Sequence, residues 1–402
     1  MSGSESVIRQ PFVIGNLPRV LFGAGRLCEL PAIARDFGRR VLLVTGGRSL
    51  RETPRWPQLL AELRAAGMDC ADLTVDTEPS PQLIDAAVAA WRGEGIELVV
   101  GIGGGSVLDA AKAVAGLLPC STSVMDYLEG VGRQLPYHGP SLPYIAVPTT
   151  AGTGSEATKN AVLSVRGPDG FKKSFRHDCL VPRYAVVDPD LLRSCPQALI
   201  AANGMDALTQ LLESYVSQRA SPFTDALAVS GLAAARDGLI PWYERGPEAG
   251  AARAAMAYAA LLSGINLAQA GLGSVHGLAS PLGAFFPVPH GVVCGSLVAV
   301  ATEVNIAALK QRARSHPSLG KYAHAGRLLG GDNGLSDDAA RERLVEVLAD
   351  WTQRLALPRL GAYGVTAAAF DAIIAGCRGS SMQTNPIVLE NAEIREILRA
   401  RT

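Results

Sequence analysis

The sequence predicts a layered α/β domain over residues 1–190 followed by an all-helical domain over residues 191–402. Its 402 residues exceed what a single hydrophobic core usually organises, which favours two domains. Short β-rich runs alternate with helical runs from Arg19 to about Pro189, a pattern typical of a parallel sheet with flanking helices. Beyond Pro189 the strand signals fade, and Ala, Leu and Glu recur with a helical period. Because no long linker separates the two parts, we expect them to pack together around a cleft.

Local patterns place individual elements in both domains. Apolar runs that end at glycine or proline predict strands over residues 41–45, 97–102 and 144–148. Helical periodicity predicts helices over residues 59–66, 81–91 and 106–118, the last with Ser106 as its N-cap. In the second domain, residues 204–213 are predicted to be helical.

Composition and charge exclude several classes of protein. Hydrophobic residues make up 48% of the chain and charged residues 18%, which is a globular rather than a disordered profile. Lys and Arg together number 37, as do Asp and Glu, and no dense basic block occurs, so we expect no nucleic-acid partner. The apolar stretches are interrupted before the length of about 18 residues that suggests a membrane span. The first residues lack the basic and apolar segments of a secretory signal, so we predict a cytoplasmic protein that acts on a small molecule.

Seven cysteines are scattered singly along the chain. Their odd number and the lack of a Cys-x-x-Cys pair indicate reduced thiols rather than a disulfide framework. Most such thiols are buried packing residues, and we assign none of these a catalytic or binding role.

A glycine-rich segment, Gly103-Gly104-Gly105-Ser106, connects a predicted strand to a predicted helix. Its free backbone N–H groups and the positive end of the helix dipole would favour a phosphate group. The spacing does not match Gly-x-Gly-x-x-Gly, so a plain glycine-rich turn stays open as the alternative. Asp109 and Lys112, on the first turns of the helix, can be interpreted as a solvated pair.

The residues after the first predicted strand bear on which dinucleotide would bind. The segment from Thr45 through Arg51 carries no acid at the strand end, where NAD enzymes commonly place one against the ribose 2′-hydroxyl. Gly46 leaves room for a 2′-phosphate, which Arg48, Ser49 and Arg51 could bind through charge-assisted hydrogen bonds. We therefore favour NADP(H) over NAD(H), and ordinary exposed loop charges are the alternative.

Potential metal ligands lie in the second half of the chain. Asp206 and Gln210 project from one face of a predicted helix, because they are four residues apart. His276 and His290 lie among apolar and small residues, where each is either a core histidine or a ligand. An aspartate with two histidines can hold Zn²⁺ or Fe²⁺ and leave a position open for a substrate oxygen. Gln210 could then be a weak fourth ligand.

Five motifs occur in order along the chain. They are Gly103 to Ser106 with Asp109 and Lys112, residues 148–156 (PTTAGTGSE), Asp188-Pro189, residues 204–209 (GMDALT), and the segments that begin at His276 and end at His290-Gly291. Together they resemble the iron-containing (group III) alcohol dehydrogenase family, with maleylacetate reductases and glycerol dehydrogenases as more distant relatives. The resemblance covers nearly the whole chain and implies the dehydroquinate synthase-like architecture of group III alcohol dehydrogenases.

The resemblance also implies roles for residues at matching positions. The dinucleotide, including its pyrophosphate, would be bound by Gly104, Gly105, Ser106, Thr149, Thr150 and Thr153. Lys172 matches a lysine that reaches the cofactor ribose, and Asn160 matches a position that faces the nicotinamide and the substrate. Asp206, His276 and His290 match three of four metal ligands. The chain departs from the family at Gln210, where the fourth ligand is normally histidine, and at Ser280, where a histidine implicated in proton transfer is often found.

We therefore expect an oxidoreductase that transfers a hydride between a nicotinamide cofactor and an alcohol or aldehyde in the cleft between the domains. Iron or zinc, weakly bound because of Gln210, would polarise the substrate oxygen, and the catalytic residues would be His276, His290 and Asn160. Three alternatives stay open: a metal-independent reductase of a carboxylate-bearing substrate such as maleylacetate, a metal-using lyase, and a binding protein that keeps the nucleotide loop. We expect a homodimer, because dimers are the commonest symmetric assembly.

Overall fold

The structure is a computed structural model that describes residues 11–167 and 170–402. The segment on which the prediction of no secretory signal rests lies largely outside the described residues. Among those residues, a parallel sheet with flanking helices is followed by a part of the chain that contains only helices and loops. The predicted fold class is therefore confirmed.

The first part is organised around a six-stranded parallel sheet. Its strands are β1 Arg19–Phe22, β2 Arg40–Thr45, β3 Asp69–Thr74, β4 Leu98–Gly103, β5 Tyr144–Pro148 and β8 Tyr184–Val187. They lie in the order β1-β8-β5-β4-β2-β3, and every pairing is parallel. Four helices accompany them, α1 Leu30–Arg35, α2 Arg55–Ala65, α3 Pro81–Trp91 and α4 Gly105–Leu117.

The central strands are apolar throughout because both faces of the sheet are covered. In β2, Leu42 and Val44 pack into one hydrophobic cluster, and Val41 and Leu43 pack into another on the opposite face. This division follows from the two-residue period of a strand. It explains why continuous apolar runs were sufficient to predict β2, β4 and β5.

The strand order creates a crevice at one edge of the sheet. β2 pairs with both β3 and β4, so the chain first builds outward to β3 and then returns to the other side of β2. The carboxyl ends of β2 and β4 flank this topological switch point, which is where open α/β sheets bind their ligands. The Gly103 to Ser106 segment begins at the last residue of β4 and therefore lies at this crevice.

An antiparallel hairpin that the sequence analysis did not predict follows the Thr149 to Glu156 segment. It consists of β6 Asn160–Val165 and β7 Phe171–Arg176. β6 packs against α4, and β7 packs against the helical part of the chain at α8 Ser274–Phe285. The hairpin thus bridges the two parts of the protein, and it carries Asn160 and Lys172.

Ten helices form the rest of the chain. The long ones are α5 Gln197–Val216, α6 Pro222–Arg245, α7 Gly250–Ala270, α8, α9 His290–Arg312, α10 Ser318–Gly330 and α11 Asp337–Arg354. The shorter ones are α12 Phe370–Gly376, α13 Ser380–Gln383 and α14 Asn391–Arg401. α7 and α9 are long and apolar enough to cross a membrane, but 67% and 83% of their most apolar segments are buried inside the protein. Burial to this extent is typical of helices in a protein core, so α7 and α9 are core helices.

Candidate active site

A cavity of about 780 Å³ lies between the crevice of the sheet and the helices. Its volume is within the range of small-molecule and cofactor sites. It brings together most of the predicted site residues, namely Gly104, Gly105, Ser106, Thr150, Thr153, Asn160, Lys172, Asp206, Gln210, His276 and His290. Within the described part of the chain, Gly46, Arg48, Ser49 and Thr149 do not line it. Thr149 is buried, and its backbone N–H donates to the Gly103 carbonyl oxygen at 2.9 Å.

One wall of the cavity is the start of α4. The helix begins at Gly105 with Gly104 as its N-cap, so the prediction that Ser106 is the N-cap is wrong. The first N–H groups of a helix have no partner within it, and here the residues that carry them line the cavity. A Cβ on Gly105 would lie only 2.6 Å from Thr153 Cγ2, so the glycine lets the 148–156 segment pack directly against the helix.

Lys112 holds this packing in place. Its side chain is fully buried, and Nζ donates to the carbonyl oxygens of Ser155 (2.9 Å) and Asn160 (2.6 Å). Nζ also donates to Thr158 Oγ1 at 2.9 Å, and Asp109 Oδ1 accepts from Ser155 Oγ at 2.5 Å. The interpretation of Asp109 and Lys112 as a solvated pair is therefore wrong. Both fasten the 149–160 segment to the helix that carries the glycine loop.

The same segment also contacts the helical part of the chain through backbone alone. Gly154 has a left-handed φ of 62°, and a Cβ on it would collide with the backbone of Gly264 on α7. A Cβ on Gly264 would collide with Gly154 in turn. Two glycines therefore permit a direct backbone approach between the loop and α7.

The loop after β2 is arranged differently from the prediction. Arg48 and Ser49 are exposed, whereas Arg51 turns back into the domain. Arg51 Nε donates to Thr45 Oγ1 at 2.8 Å, and its guanidinium pairs with Asp72 and lies 4.9 Å from the centre of the Trp56 ring. Arg51 is thus engaged within the domain.

An acid does lie beside this loop, although it does not come from β2. Asp76 follows β3, and its carboxylate occupies the space that a side chain on Gly47 would need. The sequence analysis considered only the end of β2 and did not weigh this residue. Parallel strands bring their carboxyl ends to one edge of a sheet, which is why the end of β3 matters here.

The opposite wall of the cavity carries a cluster of potential metal ligands. Asp206 comes from α5, His276 from α8, and His290 and Cys294 from the first two turns of α9. His276 Nε2 is 3.1 Å from Asp206 Oδ1, and His290 Nε2 is 3.7 Å from the same oxygen. One donor atom from each of the four residues lies within 4.8 Å of all the others.

A carboxylate behind the cluster fixes the orientation of His276. Its Nδ1–H donates to Glu213 Oε2 at 2.6 Å, which leaves Nε2 directed at the cluster. Such a carboxylate–histidine pair is the usual support of a metal-binding imidazole. Glu213 was not predicted, although it lies seven residues after Asp206, two turns along the same face of α5.

Burial and the neighbouring ionisable groups set the electrostatics of the cluster. Burial disfavours the Asp206 carboxylate, but His290 and His276 outweigh this and hold its pKa well below the ordinary value. Burial also opposes the charged form of His276, but Cys294, Asp206 and Glu213 raise its pKa well above the ordinary value. Burial lowers the pKa of His290 to about 4, so its ring is neutral at pH 7. The ionised Asp206 and the neutral His290 are in the protonation states that a metal ion requires, whereas His276 would have to release a proton when a metal binds.

The donor set therefore fits a divalent metal. Asp206, His276 and His290 supply oxygen and imidazole ligands of the kind that bind zinc and iron. His290 Nδ1 is buried and has no hydrogen-bond partner among the described residues, and the other ring nitrogen, Nε2, is the one near Asp206 Oδ1.

The two positions that depart from the family pattern have other partners. Gln210 lines the cavity, and its Oε1 accepts a hydrogen bond from Ser263 Oγ at 3.0 Å. Ser280 Oγ donates to the Lys172 carbonyl oxygen at 3.1 Å and thereby ties α8 to the hairpin. Lys172 Nζ in turn lies 3.2 Å from Glu78 Oε1 at the edge of the cavity.

Comparison with known proteins matches both parts of the chain to one family. A sequence model described as iron-containing alcohol dehydrogenase matches residues 18–189. A second, described as the C-terminal part of the Fe-containing alcohol dehydrogenase family, matches residues 200–402. The chain belongs to the iron-containing alcohol dehydrogenase family.

Relatives with this family's activities cover nearly all of the chain. It is 34% identical to long-chain-alcohol dehydrogenase 1 of Geobacillus thermodenitrificans, over 94% of this chain and 93% of the relative. It is 30% identical to lactaldehyde reductase of Escherichia coli K12, over 84% of this chain and 85% of the relative. The predicted family is thus confirmed, and the protein is an oxidoreductase of that family.

Solved structures agree. A 1,3-propanediol oxidoreductase superposes with a TM-score of 0.88 at 28% identity and covers 98% of this chain and 100% of its own. An iron-containing alcohol dehydrogenase from Thermotoga maritima superposes with a TM-score of 0.82 at 28% identity. The match covers 97% of this chain and 99% of that structure. Membership of the family implies a metal and a nicotinamide cofactor, and it does not favour the metal-independent reductase, the lyase or the binding protein considered above.

Proposed function

We propose that this member of the iron-containing alcohol dehydrogenase family transfers a hydride between NADP(H) and an alcohol or aldehyde, with a divalent metal on Asp206, His276 and His290. One observation carries the proposal: the glycine loop at the start of α4 and the Asp206, His276 and His290 cluster line the same cavity. A metal bound there would polarise the carbonyl oxygen of the substrate. Gln210 stays a prediction as a weak fourth ligand.

The roles of the remaining residues follow from where they lie. The first N–H groups of α4, at Gly105 and Ser106, are available to the pyrophosphate, and the helix dipole favours its charge. Thr150 and Thr153 face the same space from the neighbouring loop. Asn160, at the start of β6, lines the cavity and would position the nicotinamide against the substrate. Such positioning lowers the barrier to hydride transfer because it removes the entropy of bringing two reactants together.

The preference for NADP(H) rests on the space beside β2. A Cβ on Gly46 would lie 3.8 Å from Val107 Cγ2 and 3.9 Å from the Val75 carbonyl oxygen, which are ordinary contacts, so a side chain there would not clash. Arg48 and Ser49 are exposed next to it. An open position beside an exposed arginine suits a 2′-phosphate, to which a guanidinium can donate two hydrogen bonds.

Gly46→Asp should move cofactor preference from NADP(H) toward NAD(H). The new carboxylate would accept from the ribose 2′-hydroxyl and repel a 2′-phosphate. Hydrogen bonds to charged groups contribute about 1.5–3 kcal/mol, so we expect the ratio of kcat/KM for the two cofactors to shift by about 10- to 100-fold. Steady-state kinetics with both cofactors measure this ratio.

Gly250→Asp is the matched control, because Gly250 begins α7 and nothing but Arg253 lies within 4 Å of its added Cβ. Asp76→Asn is the second variant. An unchanged ratio in Gly46→Asp, together with loss of NAD(H) activity in Asp76→Asn, would contradict the preference for NADP(H) and assign the 2′-hydroxyl contact to Asp76.

We also propose a cytoplasmic homodimer whose two domains meet near residue 190. β1 lies at an edge of the sheet and pairs only with β8 among the described strands. Exposed apolar residues gather before and on this strand, at Phe12, Val13, Ile14, Leu17 and Val20. A free strand edge next to exposed apolar side chains is a site for pairing with a second copy. The mass in solution, against 42.0 kDa for one chain, tests this assembly.

The proposed activity is tested by metal analysis and turnover on the same preparation. Protein purified without chelator or affinity metal should contain close to one equivalent of a divalent metal. It should oxidise NADPH with one or more of a panel of aldehydes, and chelation should abolish this until metal is restored. Turnover that is unaffected by complete removal of metal would contradict the metal half of the proposal, and cofactor binding without turnover on any aldehyde would contradict the whole.

A further inference from the structure

Cys294 lies among the metal-binding side chains, although the sequence analysis assigned it no role. It follows His290 by four residues on α9, so both side chains project from one face of the helix. Its thiol is fully buried. Sγ lies 3.6 Å from His276 Nε2 and 3.8 Å from His290 Nε2. The thiol therefore contacts both imidazole nitrogens that point into the cluster.

Four of the six distances among the donor atoms of this cluster match a tetrahedral metal site. With metal bonds of about 2.0–2.1 Å to nitrogen or oxygen and about 2.3 Å to sulfur, ligand atoms lie about 3.3 Å apart, or about 3.6 Å from a sulfur. The two distances from Sγ are 3.6 and 3.8 Å. The two distances to Asp206 Oδ1 are 3.1 Å from His276 and 3.7 Å from His290. Four measured edges are thus within about half an ångström of a Zn-sized tetrahedron.

Gln210 is the rival for this position. It lies one turn after Asp206, where the family normally has histidine, but its amide oxygen accepts a hydrogen bond from Ser263 Oγ. A neutral amide oxygen is also a poorer ligand for zinc than a thiolate, which is soft and negatively charged. Cys294 offers the stronger donor, and it comes from α9 rather than α5.

We propose that Cys294 is the fourth ligand of the metal, in place of the imidazole missing at Gln210, and that this Asp-His-His-Cys set selects zinc over iron. The inference rests on the proposed function, since it concerns the metal of that same site. The thiol loses its proton to solvent when the metal binds, so the ligand set changes from one negative charge to two. A soft thiolate ligand increases the preference for zinc over iron beyond that of an all-nitrogen-and-oxygen set.

Cobalt is the probe that tests this ligand directly. Metal-free protein loaded with one equivalent of Co²⁺ should show the visible bands of a tetrahedral site and, in the near ultraviolet, a thiolate-to-cobalt charge-transfer band. Cys294→Ser should lose the charge-transfer band and bind the metal at least about 100-fold more weakly, a larger loss than removal of a supporting partner causes. Cys195→Ser is the matched control, because that partly buried thiol is not one of the four clustered donor residues, and its spectrum should equal that of the wild type.

Two further measurements extend the test. Loaded anaerobically from an equimolar mixture of Zn²⁺ and Fe²⁺, the wild type should retain mainly zinc by elemental analysis, and the ratio of zinc to iron should be lower in Cys294→Ser. Adding Gln210→His to Cys294→Ser should restore metal binding without restoring the charge-transfer band. This rescue shows that a weakened single variant lost a ligand rather than its fold.

The outcomes separate this inference from the proposed function. A wild type that binds one equivalent of cobalt without a thiolate charge-transfer band would overturn the inference and leave the metal-dependent enzyme intact. Failure of the wild type to bind any cobalt would overturn both the inference and the proposed metal, and NADPH oxidation with aldehydes would then decide whether the redox activity stands. Equal retention of zinc and iron would overturn the proposed selectivity.

Discussion

His276→Ala is expected to abolish turnover and metal binding while leaving the dinucleotide bound. The imidazole lies between Asp206 at 3.1 Å and Glu213 at 2.6 Å, and it lines the cavity on the wall opposite the glycine loop. Polarisation by a metal stabilises the developing charge by several kcal/mol, so we expect kcat to fall by about 10³-fold or more. NADPH affinity, measured by fluorescence titration, should change less than about threefold, because the α4 loop is untouched.

His138→Ala provides the control for this variant, since His138 is exposed and does not line the cavity. Metal content, kcat and NADPH affinity should all be those of the wild type. Retention of metal and turnover in His276→Ala would remove His276 from the site, and a parallel loss of NADPH binding would show that the two walls of the cavity are not independent.

Among the variants proposed for this protein, Lys112→Met is expected to cause the largest loss in the free energy of unfolding. The methionine fills the space but leaves the carbonyl oxygens of Ser155 and Asn160 without their buried donor, and it leaves Asp109 without its cation. Removal of one partner from a buried charged pair typically costs about 3–5 kcal/mol. The freed 149–160 segment should also weaken NADPH binding, because Thr150 and Thr153 would no longer be held against the helix. Denaturant unfolding and NADPH titration measure the two effects.

Lys310→Met serves as the comparison, because Lys310 is an exposed lysine whose partner, Asp338, is also exposed. Its free energy of unfolding should stay within about 0.5 kcal/mol of the wild type. A similarly small change in Lys112→Met would show that the buried hydrogen bonds do not hold the loop.

The pH dependence of the Lys112→Met effect is also expected to have a definite sign. Burial lowers the pKa of Lys112 from 10.5 to about 8, against the opposing attraction of Asp109 and Glu156. Between these two values the native state has lost the proton that the unfolded state still holds, so the contribution of Lys112 to stability rises with pH. The difference in unfolding free energy between wild type and Lys112→Met should therefore grow from about pH 8 toward pH 10.5.

Much of the sheet could be predicted from the sequence, because a strand buried on both faces is a short apolar run. The β6–β7 hairpin could not be, since β7 reads Phe-Lys-Lys-Ser-Phe-Arg and the hairpin is positioned by the contacts of β6 with α4 and of β7 with α8. An Asp and a Lys three residues apart on a helix usually face solvent. Lys112 is buried only because its partners lie 43 to 48 residues further along the chain.

The ligand cluster, too, could be predicted only in part from the sequence. Asp206, His276 and His290 come from three helices, so their spacing in the sequence carries little information, and motif resemblance was needed to bring them together. Cys294 was missed because a single buried cysteine resembles a packing residue. The available signal was its four-residue spacing from His290, which becomes informative once α9 is known to begin at that histidine.

The contact between Gly154 and Gly264 determines how far this protein can be taken apart. The loop that we propose to face the dinucleotide packs against the backbone of α7, a helix from the other half of the molecule. The α/β half is therefore not a portable nucleotide-binding cassette. If this half were fused to another enzyme, the loop that contains Gly154 would lack the α7 backbone against which it packs here.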